Sequence, residues 1–201
     1  MARKNATADT NQEVISDPYR YQDKVNYWTR DEYGLLPQVE YSFKEDEPFK
    51  IDWKKLVPLS FIVPNRDKFP KGTDFSSLEI SSLKDDQLLI LLAGFRHLIG
   101  IRGYNYIKQN IKFAHEGFVA TECEIELIPN YETGMRVIKF TGEGDAHFGN
   151  TNTFAKHYLT CIAANRAFVR AVRNALDIPV LGKDEIGATN NLSENEDSDI
   201  N

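Results

Sequence analysis

The sequence predicts an α+β fold in which a three-stranded antiparallel β-meander packs against one long α-helix. Two segments with period-two alternation, joined by a glycine-containing turn, predict the first two strands. A third extended segment follows a second turn, and a long stretch with helical periodicity comes last. A buried helix is expected before this core, and an irregular, aromatic-rich region is expected before that helix.

The buried helix is expected between Asp85 and Leu98. This stretch is apolar on most sides, which is typical of a helix surrounded by other elements. Gly100 and Gly103 follow and are expected to end it.

The strands are expected at Tyr104 to Ala114, Phe118 to Ile128 and Met135 to Thr141. Residues 114–117 and 129–134 contain the glycines typical of turns between strands. The middle strand alternates most clearly, which indicates one covered side and one side in water. Its expected inner side consists of Val119, Thr121, Cys123, Ile125 and Leu127, and its outer side of Glu122, Glu124 and Glu126.

The long helix is expected to begin at Thr151 or Thr153, since either hydroxyl can cap it, after a glycine-containing loop at 142–149. It is expected to end near Asp177 because Pro179 prevents continuation. Apolar residues at helical spacing predict the face that covers the sheet. They are Phe154, Tyr158, Cys161, Ile162, Val169, Val172 and Leu176.

A single domain is expected over residues 18–183, with its core at about 85–180. Residues 1–17 are polar and lack periodicity, so they are expected to be disordered. The acidic tail at 184–201 holds too few large apolar residues to order itself and is also expected to be disordered.

The segment from residue 18 to 70 combines many aromatic residues with repeated prolines. This pattern predicts short strands and turns held by buried rings, with short strands at Gln38 to Phe43 and Leu59 to Val63. The segment could clothe the core or lie across a neighbouring subunit, and the sequence leaves both interpretations open.

The composition excludes several classes of protein. The chain has 201 residues, of which 41% are hydrophobic and 27% charged, as in an ordinary globular protein. No apolar run approaches the roughly 18 residues of a membrane span, and no signal segment is recognisable at the start. Cys123 and Cys161 are too few for a disulfide framework or a zinc site. We therefore expect a cytoplasmic protein with no membrane, metal or other cofactor.

The net charge of -6 does not decide the partner. The last 18 residues carry six carboxylates and no lysine or arginine, so residues 1–183 have a net charge of zero. A basic surface can therefore exist on the folded part of an acidic chain.

Three arginines predict an anion-binding stripe on the long helix. Arg166, Arg170 and Arg173 lie at i, i+4 and i+7, where like charges repel each other. Lys156 belongs to the same predicted DNA-binding set, and no acidic residue lies between it and Arg173. Arginine suits phosphate because its planar fork makes bidentate contacts. The alternative is that these arginines pair with Glu122, Glu124, Glu126 or Glu143 in the fold.

A second basic set lies along the first helix and first strand, with tyrosines between the cations. Cations for the backbone and rings for the bases are what single-stranded nucleic acid requires. A solvated strand face is the alternative, with the lysines paired to glutamates of the next strand. The set comprises Arg96, Arg102, Lys108, Lys112, Tyr104 and Tyr106.

Catalytic chemistry has weaker support. Glu143, Asp145 and His147 lie two apart and could bind a divalent metal ion, yet their spacing matches no established ligand motif. Cys161 is interpreted as a core residue of the helix. We expect no catalytic residue.

These features together resemble the phage single-strand annealing proteins. The resemblance lies in RGYNYIKQNIKFAHEGFVATECEIELI (102–128), MRVIKFTGEGDA (135–146) and HYLTCIAANRAFVRAVRNALDI (157–178). The last segment is similar to the family's AxTRAxxRAxRxAxG helix, with Asn165 in place of Thr and Asp177 in place of Gly. The family includes the Erf and Red-beta type recombinases and shares a β-β-β-α core with the eukaryotic mitotic annealing protein.

The resemblance implies a non-enzymatic protein that binds single-stranded DNA and anneals strands in recombination, repair or replication. It implies that the helix arginines and the basic strand residues line one groove for the DNA backbone, and that subunits form a homo-oligomeric ring or filament. The acidic tail could occupy that groove, recruit a recombination or replication partner, or only aid solubility. A replication protein that protects single strands without annealing them is the main alternative, and a metal-dependent nuclease is the third.

Overall fold

The computed structural model describes residues 29–187 and confirms the α+β class, with two three-stranded sheets and two α-helices in that range. The expected disordered segment 1–17 and residues 188–201 of the expected tail lie outside the described residues. In chain order the elements are β1 (Ile62–Pro64), β2 (Leu88–Ile90), α1 (Leu92–Arg102), β3 (Tyr104–His115), β4 (Phe118–Leu127), β5 (Ile138–His147), α2 (Leu159–Ala175) and β6 (Leu181–Gly182).

The larger sheet has the order β3-β4-β5, with both pairs antiparallel. Strand β4 alternates between buried and half-buried residues along its whole length, as its sequence predicts. Its buried residues face α2, and Glu122, Glu124 and Glu126 lie on the other side, which we call the open face. The third strand lies later than expected, because Met135 belongs to the preceding turn and β5 continues to His147.

The smaller sheet has the order β1-β2-β6, in which β6 runs parallel to β2. It corrects the expected helix over Asp85 to Leu98. Residues 85–87 form a 3-10 turn, the next three residues form the fully buried strand β2, and the helix begins only at Leu92. A short apolar run is compatible with a central strand as well as with a buried helix. Here the run forms a strand because it pairs with β1 on one side and β6 on the other.

Helix α2 lies closely against the larger sheet, and two glycines of β5 make this possible. A Cβ at Gly142 would lie 2.3 Å from the Ala171 nitrogen, and one at Gly144 would lie 2.4 Å from the Ala163 oxygen. Glycine therefore serves here for close approach of the helix backbone, within a strand and not in the expected loop.

The predicted apolar face of the long helix is correct only in its second half. Val169, Val172 and Leu176 are buried, whereas Phe154 is 78% exposed and Tyr158 52% exposed. The cause is that residues 154–158 form a 3-10 segment, so the α-helical spacing does not extend back to them. Cys161 is also exposed, contrary to its interpretation as a core residue, while Cys123 is buried.

Part of the aromatic-rich segment covers the core. Trp53 and Ile51 are buried in it, and the Trp53 indole N–H donates to Glu132 Oε2 at 3.2 Å. The expected strand over Gln38 to Phe43 is reduced to a single bridge between Phe43 and Ile51. Phe49, at the same hairpin, is 84% exposed.

Candidate nucleic-acid interface

Arg166, the first member of the predicted stripe, is a buried structural residue. It is only 4% exposed, and its guanidinium donates to three backbone carbonyls. Nε reaches the Asp184 oxygen at 2.8 Å, Nη1 the Asp145 oxygen at 2.6 Å and Nη2 the Asn150 oxygen at 2.9 Å. Burial lowers the pKa of the Arg166 guanidinium. Because backbone carbonyls already accept from this buried guanidinium, Arg166 does not offer it to DNA phosphate, contrary to the expectation from sequence.

Arg170 and Arg173 share one carboxylate, and that carboxylate is Glu185. Its Oε1 lies 3.6 Å from Arg170 Nε and its Oε2 lies 3.0 Å from Arg173 Nε. The side chains of the two arginines are 35% and 25% exposed, whereas that of Glu185 is 6% exposed. The contact to Arg173 is an ion pair without hydrogen-bond geometry, so the buried Nε–H has no well-directed acceptor. Arg170 Nη1 also donates to the Glu143 backbone oxygen at 2.7 Å.

Glu185 is held by a segment that we call the strap, residues 181–187. The strap begins as β6 and continues into a 3-10 turn at Lys183–Glu185. Gly182 lies so close to α2 that a Cβ there would meet Val169 Cγ1 at 2.2 Å. The Gly182 N–H donates to Glu185 Oε2 at 2.8 Å, which orients the carboxylate. The expected disorder of the tail is therefore wrong for residues 184–187, because packing on α2 orders them.

Arg102 and Arg96 have different environments, although both lie on α1. Arg102 is 2% exposed and donates to the Ile128 oxygen and to Asn130 Oδ1, both at 2.9 Å. Burial lowers its pKa to about 10. Arg102 therefore joins α1 to the turn after β4 and is removed from the predicted DNA contacts. Arg96 is exposed and lies with Tyr104, which is 44% exposed, at a shallow groove of about 360 Å³ beside Asn165.

The open face carries the predicted strand residues Tyr106, Lys108 and Lys112, but its centre is not basic. The Tyr106 hydroxyl donates to the Glu124 carboxylate. The Lys112 ammonium lies 3.2 Å from Glu122 Oε2, as the alternative of cross-strand pairing expects, and Lys108 lies opposite Glu124. Three lysines and five carboxylates share this face: Lys108, Lys112, Lys139, Glu122, Glu124, Glu126, Glu143 and Asp145.

The predicted single groove is not formed. The stripe belongs to α2, which covers one side of the larger sheet, whereas Lys108 and Lys112 project from the other side. The structure thus separates the two basic sets.

An aromatic row lies at one end of the open face, and sequence reasoning missed it. His115, Phe118 and His147 are directly opposite one another on the three strands. Phe113 contacts the first two rings at centroid distances of 5.3 and 6.0 Å. The only signal in the sequence is that His115 and Phe118 flank a two-residue turn, which brings them side by side in a hairpin.

Lys156, also predicted to contact DNA, lies near this row. Its ammonium is 5.7 Å from the ring centroid of Phe148, a cation–π distance. The Phe148 ring in turn lies 2.9 Å from where a Cβ of Gly117 would be, so it covers the β3–β4 turn.

The candidate metal ligands form no centre. Glu143, Asp145 and His147 are successive open-face residues of β5, and Asp145 Oδ2 accepts from Asn150 Nδ2 at 2.8 Å. Within residues 29–187, no group of three histidine, cysteine or acidic side chains is arranged to hold a metal ion. Over the same range, none of the helices combines the length and apolar character needed to cross a membrane.

Comparison of the chain with protein-family models, with curated proteins and with solved structures finds no match in any of the three.

Proposed function

We propose that this protein binds single-stranded DNA and anneals complementary strands without catalysing a reaction, as a member of the phage single-strand annealing superfamily. One observation carries the proposal: Arg170 and Arg173 form a site that already holds an anion. The carboxylate of Glu185 lies within 3.6 Å of both guanidiniums, and the buried Arg173 Nε–H lacks a directed acceptor. A phosphate oxygen with free orientation gains the hydrogen bond that the tethered carboxylate does not make.

The arrangement of charge on α2 further supports an anionic ligand. No acidic residue lies on the chain between Lys156 and Arg173, so the helix supplies no counter-charge of its own. The counter-charge comes from the strap, which is a separate segment packed on the helix surface. Only the Glu185 side chain has to leave the arginines, which breaks its bond to the Gly182 N–H and leaves β6 paired with β2.

Annealing needs no nucleotide cofactor in this proposal. Base pairing is itself downhill by about 1.4 kcal/mol per step, so the protein has only to hold strands extended and concentrate them. One chain of this size contacts few nucleotides, and a homo-oligomer that repeats the site increases the effective concentration of contacts. The meander β3-β4-β5 with α2 on one side supports the family assignment as a β-β-β-α core.

The test is an annealing assay with complementary labelled oligonucleotides and Mg²⁺, scored for duplex formation, protection and cleavage. Faster duplex formation supports annealing, and coating without acceleration supports the protective alternative. The double variant Arg170→Ala/Arg173→Ala is expected to bind single strands more weakly and with a salt slope reduced by about 1.4, or about 0.7 per lost phosphate contact.

The matched control is Arg136→Ala, which removes an exposed arginine in the turn before β5. It is expected to leave affinity and salt slope close to those of the unmodified chain. A folded Arg170→Ala/Arg173→Ala variant that binds and anneals like this control contradicts the proposal, and shortened strands would support the nuclease instead.

A further inference from the structure

The aromatic row at the end of the open face has the geometry of a stacking surface. The rings of His115 and Phe118 are 5.7 Å apart with an interplanar angle of 20°, and those of Phe118 and His147 are 6.0 Å apart with an angle of 15°. Three nearly parallel rings, one on each strand, therefore stack on one another in a row across the sheet. Their common orientation is fixed by the strand register, since the three residues are direct neighbours in it.

A β-bulge adds a fourth ring to this surface. Ile111 pairs with Thr121 and Phe113 pairs with Ala120, so β3 has one residue more than β4 between these pairs. Without the bulge, Phe113 would share the side of Ile111, which faces the helix layer. The extra residue turns Phe113 to the open face, where it is 55% exposed.

Cations lie beside the rings, and two of the nearby carboxylates are engaged. Lys156 lies over Phe148 at the β3–β4 turn, and Lys112 immediately precedes Phe113. Glu122 is paired with Lys112, and Asp145 accepts a hydrogen bond from Asn150. This end of the face is therefore distinguished from its centre by its rings, while its charges, Lys112 and Lys156 with Glu122 and Asp145, balance.

We infer that this row, Phe113, His115, Phe118 and His147 with Phe148 and Lys156, is the surface on which nucleobases of a single strand stack. The surface consists of rings with one aliphatic residue, Ala120, opposite Phe113, and half of the row is imidazole. Planar rings with adjacent lysines match the requirements of unpaired bases and their phosphates.

The inference rests on the proposed function and adds that different residues bind the phosphates and the bases. The arginines of α2 contact phosphate, and the row contacts bases. The two contributions are separable, because phosphate contacts determine the salt slope and stacking does not. They also respond differently to an abasic strand, which keeps its phosphates and lacks its bases.

The test compares binding of oligo(dT) and of an abasic oligonucleotide of the same length, using the full chain. Phe113→Ala and His147→Ala are each expected to weaken oligo(dT) binding by about five- to hundredfold, with the salt slope unchanged and abasic binding unaffected. The matched control is Ile111→Ala, on the same strand and 57% exposed but on the opposite side. Irradiation of a strand containing 5-iodouracil is expected to crosslink it to residues 113–118.

Several results would overturn the inference. Equal affinity of the unmodified chain for the two strands would remove stacking while leaving phosphate binding and the proposed function intact. Variants of the row that behave like Ile111→Ala would have the same meaning. If variants of the row no longer self-associate in light scattering but keep their oligo(dT) affinity per chain, the row is a contact surface for a second copy of the chain. Failure of the unmodified chain to bind either strand would refute the proposed function as well.

Discussion

The strap that supplies Glu185 to the arginines makes a quantitative prediction. If single-stranded DNA takes the place of this carboxylate, removing its charge should strengthen DNA binding, and most strongly at low salt. Glu185→Gln is the suitable change because glutamine keeps an oxygen that can accept from the Gly182 N–H, now at 2.8 Å. The strap should therefore stay on α2, and only the competing charge is lost.

The magnitude follows from the one carboxylate that is removed. In the unmodified chain, the displaced Glu185 charge offsets about one of the two phosphate contacts, so its loss steepens the dependence of log K on log salt by at most about 0.7 for a single strand. Between 50 and 200 mM salt, a difference of this size is about 2.6-fold. The gain in affinity of Glu185→Gln over the unmodified chain should therefore be up to about 2.6-fold larger at the lower salt concentration than at the higher.

The assay is fluorescence anisotropy of a labelled oligo(dT) at both salt concentrations, after thermal melting has shown that the variant is folded. The matched control is Glu143→Gln, which removes an exposed carboxylate whose residue touches Arg170 only through its backbone oxygen. An affinity ratio for Glu185→Gln that is the same at both salt concentrations, or equal to that of Glu143→Gln, would refute competition by the strap. Truncation after Lys183 provides a second test of competition by the strap. Equal affinity of the truncated and full chains for oligo(dT) at low salt would also refute it.

Three further predictions concern the folded structure. Gly144→Ala should destabilise the chain by roughly 1–3 kcal/mol in urea unfolding, because the added methyl would lie 2.4 Å from the Ala163 oxygen. An unchanged urea midpoint would show that α2 can move away without cost. In the same assay, Arg166→Met should lower the free energy of unfolding by roughly 1–3 kcal/mol or more, because three backbone carbonyls lose their hydrogen-bond donor. Arg170→Ala should change it by no more than about 0.5 kcal/mol. Similar losses for the two variants would contradict the buried structural role of Arg166. In the native protein at pH 8, a thiol reagent should modify the exposed Cys161 and leave Cys123 unmodified, because burial raises the pKa of the Cys123 thiol to about 11. Rapid reaction of two thiols per chain would contradict this.

The larger sheet was the part of the fold most accessible from sequence. Strand β4 is covered on one side only, so its sequence carries a complete period-two pattern, and the structure follows it residue by residue. The smaller sheet could not be predicted in the same way. Its central strand, β2, has three buried residues, and its partner β6 lies some 90 positions further along the chain. No local pattern reports such a pairing.

The candidate site shows the same division between local and distant information. Helical spacing correctly places Arg166, Arg170 and Arg173 on one helix, but their partners are distant in sequence. Glu185 belongs to a segment whose composition predicts disorder, and only contact with α2 orders it. The aromatic row depends on the register of three strands and on a bulge, neither of which the sequence alone specifies.

The two borders of the larger sheet differ in a way that limits how copies of the chain can join. On β5, the outward carbonyls of Glu143 and Asp145 are already occupied by Arg170 and Arg166. On β3, no strand lies alongside the outer border within residues 29–187. Backbone pairing between copies through the larger sheet is thus available at one border only, and two copies joined there would form a closed pair with no free border of that sheet for a third. If copies of the chain assemble into the proposed ring or filament, continuous extension of the larger sheet cannot build it.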